Sequence, residues 1–409
     1  MRKLFAQPGF PRLFGGLSTS MLGDSVMLLV LSMWVKTLTG SNALAGLTFF
    51  WMVLPSLVAP LLGVWVDRFR RIPVLVWGNV VSAAALTPLL FVRDAGDVWM
   101  IWLVAAGYGV SFIVLPAALN GLLKEMVPDE LLVAANSATL TTKEAFRLFG
   151  PLVGAALFAT VGGWLVALVD AASFLVAAVA IAGLRVREEA PVRDEQHVLL
   201  QMREGFRHLS RDRVLGPVLV GLAMMTLVIG FMEGTIYALL DGFGKPATYA
   251  AAMTTAMGAG AVLGGLTATT LIRRASEVAV IAGSMVFVAV SVGLIAASQS
   301  WWLVLALSSL MGMALPALMI ALNTLIQRRT PGRLMGRVST SVEILFATPQ
   351  AISLGLGSLL VVWLDWRLIF AFIAAGSALG ALYVVWRLHD VLFRAVPSFE
   401  EDGEAAPLS

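Results

Sequence analysis

Apolar residues along this chain come in long blocks separated by short polar connectors. A bilayer core takes about 20 apolar residues of helix. Runs of that length fall at 13–35, 43–66, 74–92, 98–123, 138–161 and 164–184, then at 215–239, 248–272, 277–297, 301–326, 338–363 and 367–387. The pattern predicts an all-α polytopic membrane protein of twelve transmembrane helices in two six-helix bundles. The only long polar interval, 185–214, divides the spans six and six. Within it residues 198–209 suit a surface helix, with Val198, Leu199, Met202, Phe206 and Leu209 on one side. The expected domains are a first bundle over 1–184, a central loop over 185–214, a second bundle over 215–387 and a tail over 388–409. The acidic end of that tail, SFEEDGEAAPLS, lacks the apolar content to fold.

The segment ALNGLLKEMVPDELL at Ala118–Leu132 returns as ALNTLIQRRTPGRLM at Ala321–Met335, an offset of 203. Ala, Leu, Asn, Leu, Pro and Leu recur in register, and the same offset superposes Arg70-Arg71 on Arg273-Arg274. Both copies leave an even-numbered span with six helices between them. The halves are therefore expected to share one orientation, as a parallel repeat about the membrane normal.

Composition agrees. Hydrophobic residues make up 59% of the chain, charged residues 13%, and mean hydropathy is +0.89. A soluble domain is about a quarter charged, so that class is excluded. The basic residues lie between apolar runs and not on one face, which excludes a nucleic-acid partner. With both termini cytoplasmic, 24 of the 28 Lys and Arg fall inside, and only Lys36, Arg93, Lys245 and Arg367 outside. The expectation is a multi-pass protein of a bacterial-type inner (plasma) membrane, its first span uncleaved. Trp99, Trp164, Trp301, Trp302, Trp363 and Trp366 fall at outer span ends, and Trp65, Trp77 and Trp386 at inner ones, as an interfacial belt. Cysteine is absent, and His197, His208 and His389 lie in loop or tail. With no phosphate-cradling loop or metal-ligand cluster either, no cofactor, metal or enzymatic chemistry is expected.

The connector GVWVDRFRR at 63–71 resembles the G-x-x-x-D-R-x-x-R signature of the major facilitator superfamily, at the place where that family carries it. The six-plus-six parallel repeat matches too. RLFGPLVGA at 147–155 resembles the glycine–proline motif of the antiporter, or exporter, branches. LSTSMLGDSVMLL at 17–29 and LVDAASFLVAA at 168–178 are similar to the first and sixth helices of the macrolide- and siderophore-exporter group. The resemblance implies alternating access and export of hydrophobic or amphiphilic small molecules, with proton antiport. A monomer is the expected state. It also implies that Asp67, set among Gly63, Arg68 and Arg71, latches onto the start of the eleventh helix at Arg333 or Arg337. The second-half copy has Thr270 where Asp67 would fall, so an asymmetric latch is expected. The arginine usual in the fourth span of drug–proton antiporters is missing.

The residues have readings of their own. Gly63 would let a neighbouring helix approach closely, and Asp67 stands before the third span, where a helix N-terminus favours a carboxylate. Gly150 and Gly154 form a small-residue face, and Pro151 bends the fifth helix.

A charge near the bilayer centre costs at least about 3 kcal/mol on insertion scales, so each needs a reason. Asp24 is mid-way along the first span and Glu233 in the outward half of the seventh. Asp170 lies in the sixth, near enough to the outer end to hydrate, and Glu343 in the cytoplasmic part of the eleventh. Glu144 and Arg147, one turn apart near the start of the fifth, suit an ion pair. No Lys or Arg lies deep in a predicted span, so Asp24 and Glu233 have no evident cationic partner. Both are expected to bind a coupling proton or a substrate cation in a cavity between the halves. The alternative is that hydroxyls such as Ser25 satisfy them structurally. Met21, Met27, Met33, Met224, Met225, Met232, Met253 and Met257 give that cavity an adaptable apolar lining suited to a bulky hydrophobic substrate. The rival functions are an uncoupled facilitator or lipid/metabolite carrier of the same fold, and a membrane sensor that does not transport.

Overall fold

Hydrocarbon offers no partner to a backbone N–H or C=O, so a spanning chain must satisfy its polar groups internally. The computed structural model describes residues 2–184, 186, 188, 198–331 and 334–392, and they form helices with no strand among them. Arg333, the loop residues 189–197 and the tail beyond 392 lie outside the described residues.

Among the described residues, twelve helices are long and apolar enough to cross a membrane. In chain order they are Phe10–Thr39, Asn42–Asp67, Arg71–Phe91, Ala95–Met126, Glu130–Val161, Gly163–Ala182, Leu215–Gly242, Ala247–Ala268, Glu277–Ala297, Trp301–Arg329, Met335–Leu360 and Trp366–Arg387. The largest departure from the hydropathy boundaries is in the fifth, whose helix begins at Asp129 instead of 138. Hydropathy marks only the part that needs lipid. The helix continues into water wherever its first turn can be started, here after Pro128.

The chain divides into two compact units, Met1–Glu195 with Pro246–Thr255, and Gln196–Lys245 with Ala256–Ser409. In the first, the first span packs along the fifth and sixth, the third along the fourth and sixth, and the second on the fourth. In the second, the seventh packs along the eleventh and twelfth, and the ninth along the tenth and twelfth. Each of these second-unit pairs is a first-unit pair displaced by six helices, the signature of two pseudo-symmetric bundles. Helix-interior prolines follow the same rule, with Pro116 and Pro316 in the fourth and tenth spans and Pro151 and Pro349 in the fifth and eleventh.

Leu13, Leu75, Val114, Leu122 and Ile181 belong to the core of the first bundle, and Val218, Ile281, Leu318, Leu325 and Val384 to that of the second. Leu103, Val179, Leu266, Leu294 and Phe372 point outward. An apolar exterior over an apolar core is the arrangement of a multi-pass protein solvated by lipid. Most of the tryptophans assigned to the interfacial belt are exposed, but Trp301 and Trp366 are buried. Their rings pack on Phe243 at 6.1 and 5.8 Å, tying the end of the seventh span to the tenth and twelfth.

The predicted surface helix spans Val198–Arg211. It docks on the eleventh span where Gly205 leaves no room for a β-carbon against Ser341 and the Arg337 backbone, and Leu209 enters the second core.

Candidate functional site

Gly23 is one of the points where the first and sixth spans meet closely. A β-carbon there would overlap Asp170 Oδ1 and Ser173 Oγ and stand 3.0 Å from Ser173 Cβ. The Asp170 carboxylate therefore rests on the backbone one residue from Asp24. Ser173 Oγ donates to Asp170 Oδ1 at 3.1 Å and to the Asp170 carbonyl at 2.7 Å. The other carboxylate oxygen, Oδ2, is buried with no hydrogen-bond partner among the described residues, and so is Asp24 Oδ1. The two acids interact electrostatically, as does Asp24 with Lys143 of the fifth span.

Three expectations change here. Asp170 is fully buried, not hydrated, because the sixth span runs inside the bundle against the first and third. Ser25 does not satisfy Asp24; its hydroxyl donates to the Phe146 carbonyl at 2.6 Å. Asp24 also has a cationic neighbour. Lys143 escaped notice because its stretch TLTTKEAF looks like the polar entrance to a span. With the helix starting at Asp129, that residue falls near its middle.

The glycine–proline stretch meets the same spot. A β-carbon on Gly150 would stand 2.6 Å from Ser25 Cβ, and one on Gly154 3.0 Å from the Val26 carbonyl carbon. Asp24, Gly150, Pro151, Gly154 and Asp170 thus come from three helices to one junction. Glu144 and Arg147 pair only loosely, at 3.9 Å with both side chains exposed.

In the second bundle Glu233 is half-buried. It lies between Gly230 and Gly234, where an added β-carbon would stand 2.8 Å from Ser353 Cβ and 2.9 Å from the Ser358 amide nitrogen. The seventh and eleventh spans thus touch through glycine, as the first and fifth do. Met27, Met33, Met225 and Met253 are buried core residues, so half of the methionines assigned to a cavity fill bundle interiors instead. Glu343 is exposed.

At the DRFRR connector, Asp67 is the last residue of its helix and pairs with Arg71 at 3.1 Å. The carboxylate that caps the third span is Glu188, which accepts from the amides of Arg71 and Ile72. Arg71 Nη1 also donates to the Val66 carbonyl at 2.9 Å, and its stem lies over Gly121. Arg68 is exposed. Gly63 makes no close approach: among the described residues no atom beyond its chain neighbours and its own helix backbone lies within 4 Å of where its β-carbon would be.

The matching corner of the second bundle is held by ion pairs. Arg328 bonds Glu277 at 2.8 Å. Arg329 bonds Asp212 at 3.0 Å with both side chains buried, and Asp212 Oδ1 also caps the seventh span through the Val214 and Leu215 amides. Arg337 pairs with Glu204 of the connecting helix.

Comparison with known proteins fits this architecture. The family model for the Major Facilitator Superfamily matches residues 13–342 and 222–408. An uncharacterized MFS-type transporter, YkuC of Bacillus subtilis, is 24% identical over 386 residues, covering 87% of this chain and 86% of the relative. Macrolide efflux protein A of Streptococcus pyogenes is 21% identical over 360 residues, 86% of this chain and 88% of that protein. Among solved structures, a bacterial homologue of the iron transporter ferroportin in an inward-facing state superposes with a TM-score of 0.72 at 16% identity, covering 92% of this chain and 98% of that one. A point mutant of the nucleoside transporter NupG gives 0.76 at 13% identity, covering 92% and 98%. At those identities the structures speak for the fold alone. The family match extends over nearly the whole chain, and the chain belongs to the Major Facilitator Superfamily of membrane transporters.

Proposed function

We propose that this transporter exports hydrophobic or amphiphilic small molecules by alternating access, in exchange for protons, from a plasma membrane in which both termini are cytoplasmic. The observation that carries this reading is the junction of the first, fifth and sixth spans. There Asp24 and Asp170 each keep an unpartnered carboxylate oxygen beside a helix contact made through glycine. Gaining or losing one proton changes the charge of that junction by a full unit, where low dielectric magnifies the effect. Gly150 and Gly154 have no side chain of their own to absorb a shift, so a change at Asp24 is passed through Ser25 and Val26 to the fifth span. Glu233 is proposed as the acid of the second half. Asp67, with Gly63, Arg68 and Arg71, is proposed as a latch engaging Arg333 or Arg337 in another state of the cycle. The likeness to macrolide efflux protein A supports outward transport of a bulky apolar compound.

Reconstituted vesicles with an imposed pH gradient and a hydrophobic dye test the proposal. Wild-type protein should move dye in proportion to the gradient, and Asp24→Asn and Asp170→Asn should lose that dependence. If both variants keep it, the acids are not the coupling site and an uncoupled facilitator becomes the better reading. A substrate cation held by the same two oxygens is the second reading, favoured by their unpartnered state. It would show as cation counterflow without any gradient.

A further inference from the structure

A second feature stands apart from the acids. Between the connecting helix Val198–Arg211 and Pro331, Leu334 and Arg337 near the start of the eleventh span, a cavity of about 570 Å³ opens. Arg207, His208, Arg211 and Arg337 face it, with Glu204 as the one acid among its described lining residues and Leu334 in its wall. Glu204 is already engaged by Arg337. Arg207 and Arg211 make no ion pair among the described residues, although they stand one helical turn apart, where like charges repel. Two unpaired guanidiniums on one cavity wall lower their energy by sharing an anion, and the guanidinium fork matches phosphate oxygens well.

The wall is held in place. Gly205 seats the helix on Ser341, Asp212 ties its end to Arg329, and His208 Nε2 lies 3.1 Å from the Arg329 carbonyl oxygen. Four residues past Arg211 the chain enters the seventh span at Leu215, so the cavity sits at the membrane–water boundary.

We propose that this cavity binds the phosphate of an anionic phospholipid headgroup, with Arg207 and Arg211 on the phosphate and Leu334 against the glycerol and first acyl carbons. Free phosphate offers the same oxygens but nothing for the apolar wall. The lipid also competes with Glu204 for Arg337.

The test uses the full chain in detergent with short-chain phosphatidylglycerol, phosphatidylcholine of equal chain length, and inorganic phosphate, with bound lipid read by native mass spectrometry. Phosphatidylglycerol should bind saturably and phosphatidylcholine should not. Arg207→Gln with Arg211→Gln should weaken binding roughly thirtyfold, as expected for two arginines at a lipid surface. Glu204→Gln should tighten it, a gain that misfolding cannot produce. Arg213→Gln, whose arginine pairs with Asp390 away from the cavity, should change nothing. Binding unaltered in the double arginine variant, or weakened by Glu204→Gln, overturns the proposal. Inorganic phosphate displacing the lipid at equal concentration overturns the lipid assignment.

Discussion

The carboxylate of Asp170 occupies the space that a side chain on Gly23 would need, so the sixth span touches the backbone of the first beside Asp24. Gly23→Ala must push Asp170 and Ser173 aside, at the cost of about 1–3 kcal/mol typical of overpacking. The expected result is a lower melting temperature in detergent. Gly63→Ala should stay within about 0.5 kcal/mol of wild type, since open space surrounds that position. Equal melting of the two variants would show that the contact at Gly23 is not tight.

Gly150→Val and Gly154→Val should separate the first and fifth spans and reduce dye transport more than they lower the melting temperature. Each would cost about 1–3 kcal/mol in stability. Transport at the wild-type rate by both would remove the glycine–proline contact from the mechanism.

The Asp212–Arg329 pair is buried on both sides. Removing one partner leaves an uncompensated charge, so Asp212→Ala or Arg329→Met should each destabilise by about 3–5 kcal/mol. The double variant should recover part of that loss, and thermal melts of all four proteins measure the coupling. Additive losses would mean that the pair does not act as a unit.

Glu188 and Asp67 should part company when replaced. Glu188→Ala removes the cap of the third span and should cost about 1 kcal/mol. Asp67→Asn breaks an ion pair whose carboxylate stands in solvent although Arg71 is mostly buried, and should cost about 1 kcal/mol or less. If the latch reading holds, Asp67→Asn lowers transport while its melting temperature stays near wild type. An Asp67→Asn protein with unchanged transport would reduce the motif to a topology signal.

The sequence by itself determined the twelve spans, the doubling of the chain and the short set of acids worth examining. These are legible because a bilayer leaves an apolar run of about 20 residues few conformations other than helix, and because a repeat at constant offset is a one-dimensional fact. Tertiary structure decided which of those residues meet. Asp24 and Asp170 are 146 positions apart, and only the packing of the first span on the sixth brings them together. Asp67 and Glu188 are both acids near the third span, and only the path of the chain after the sixth shows that Glu188 holds the amides. Lys143 looks peripheral until the helix is seen to start at Asp129. Hydropathy averages over a stretch of chain, whereas a site is made by single atoms arriving from different stretches. The first can be read along the sequence; the second exists only once the helices have packed.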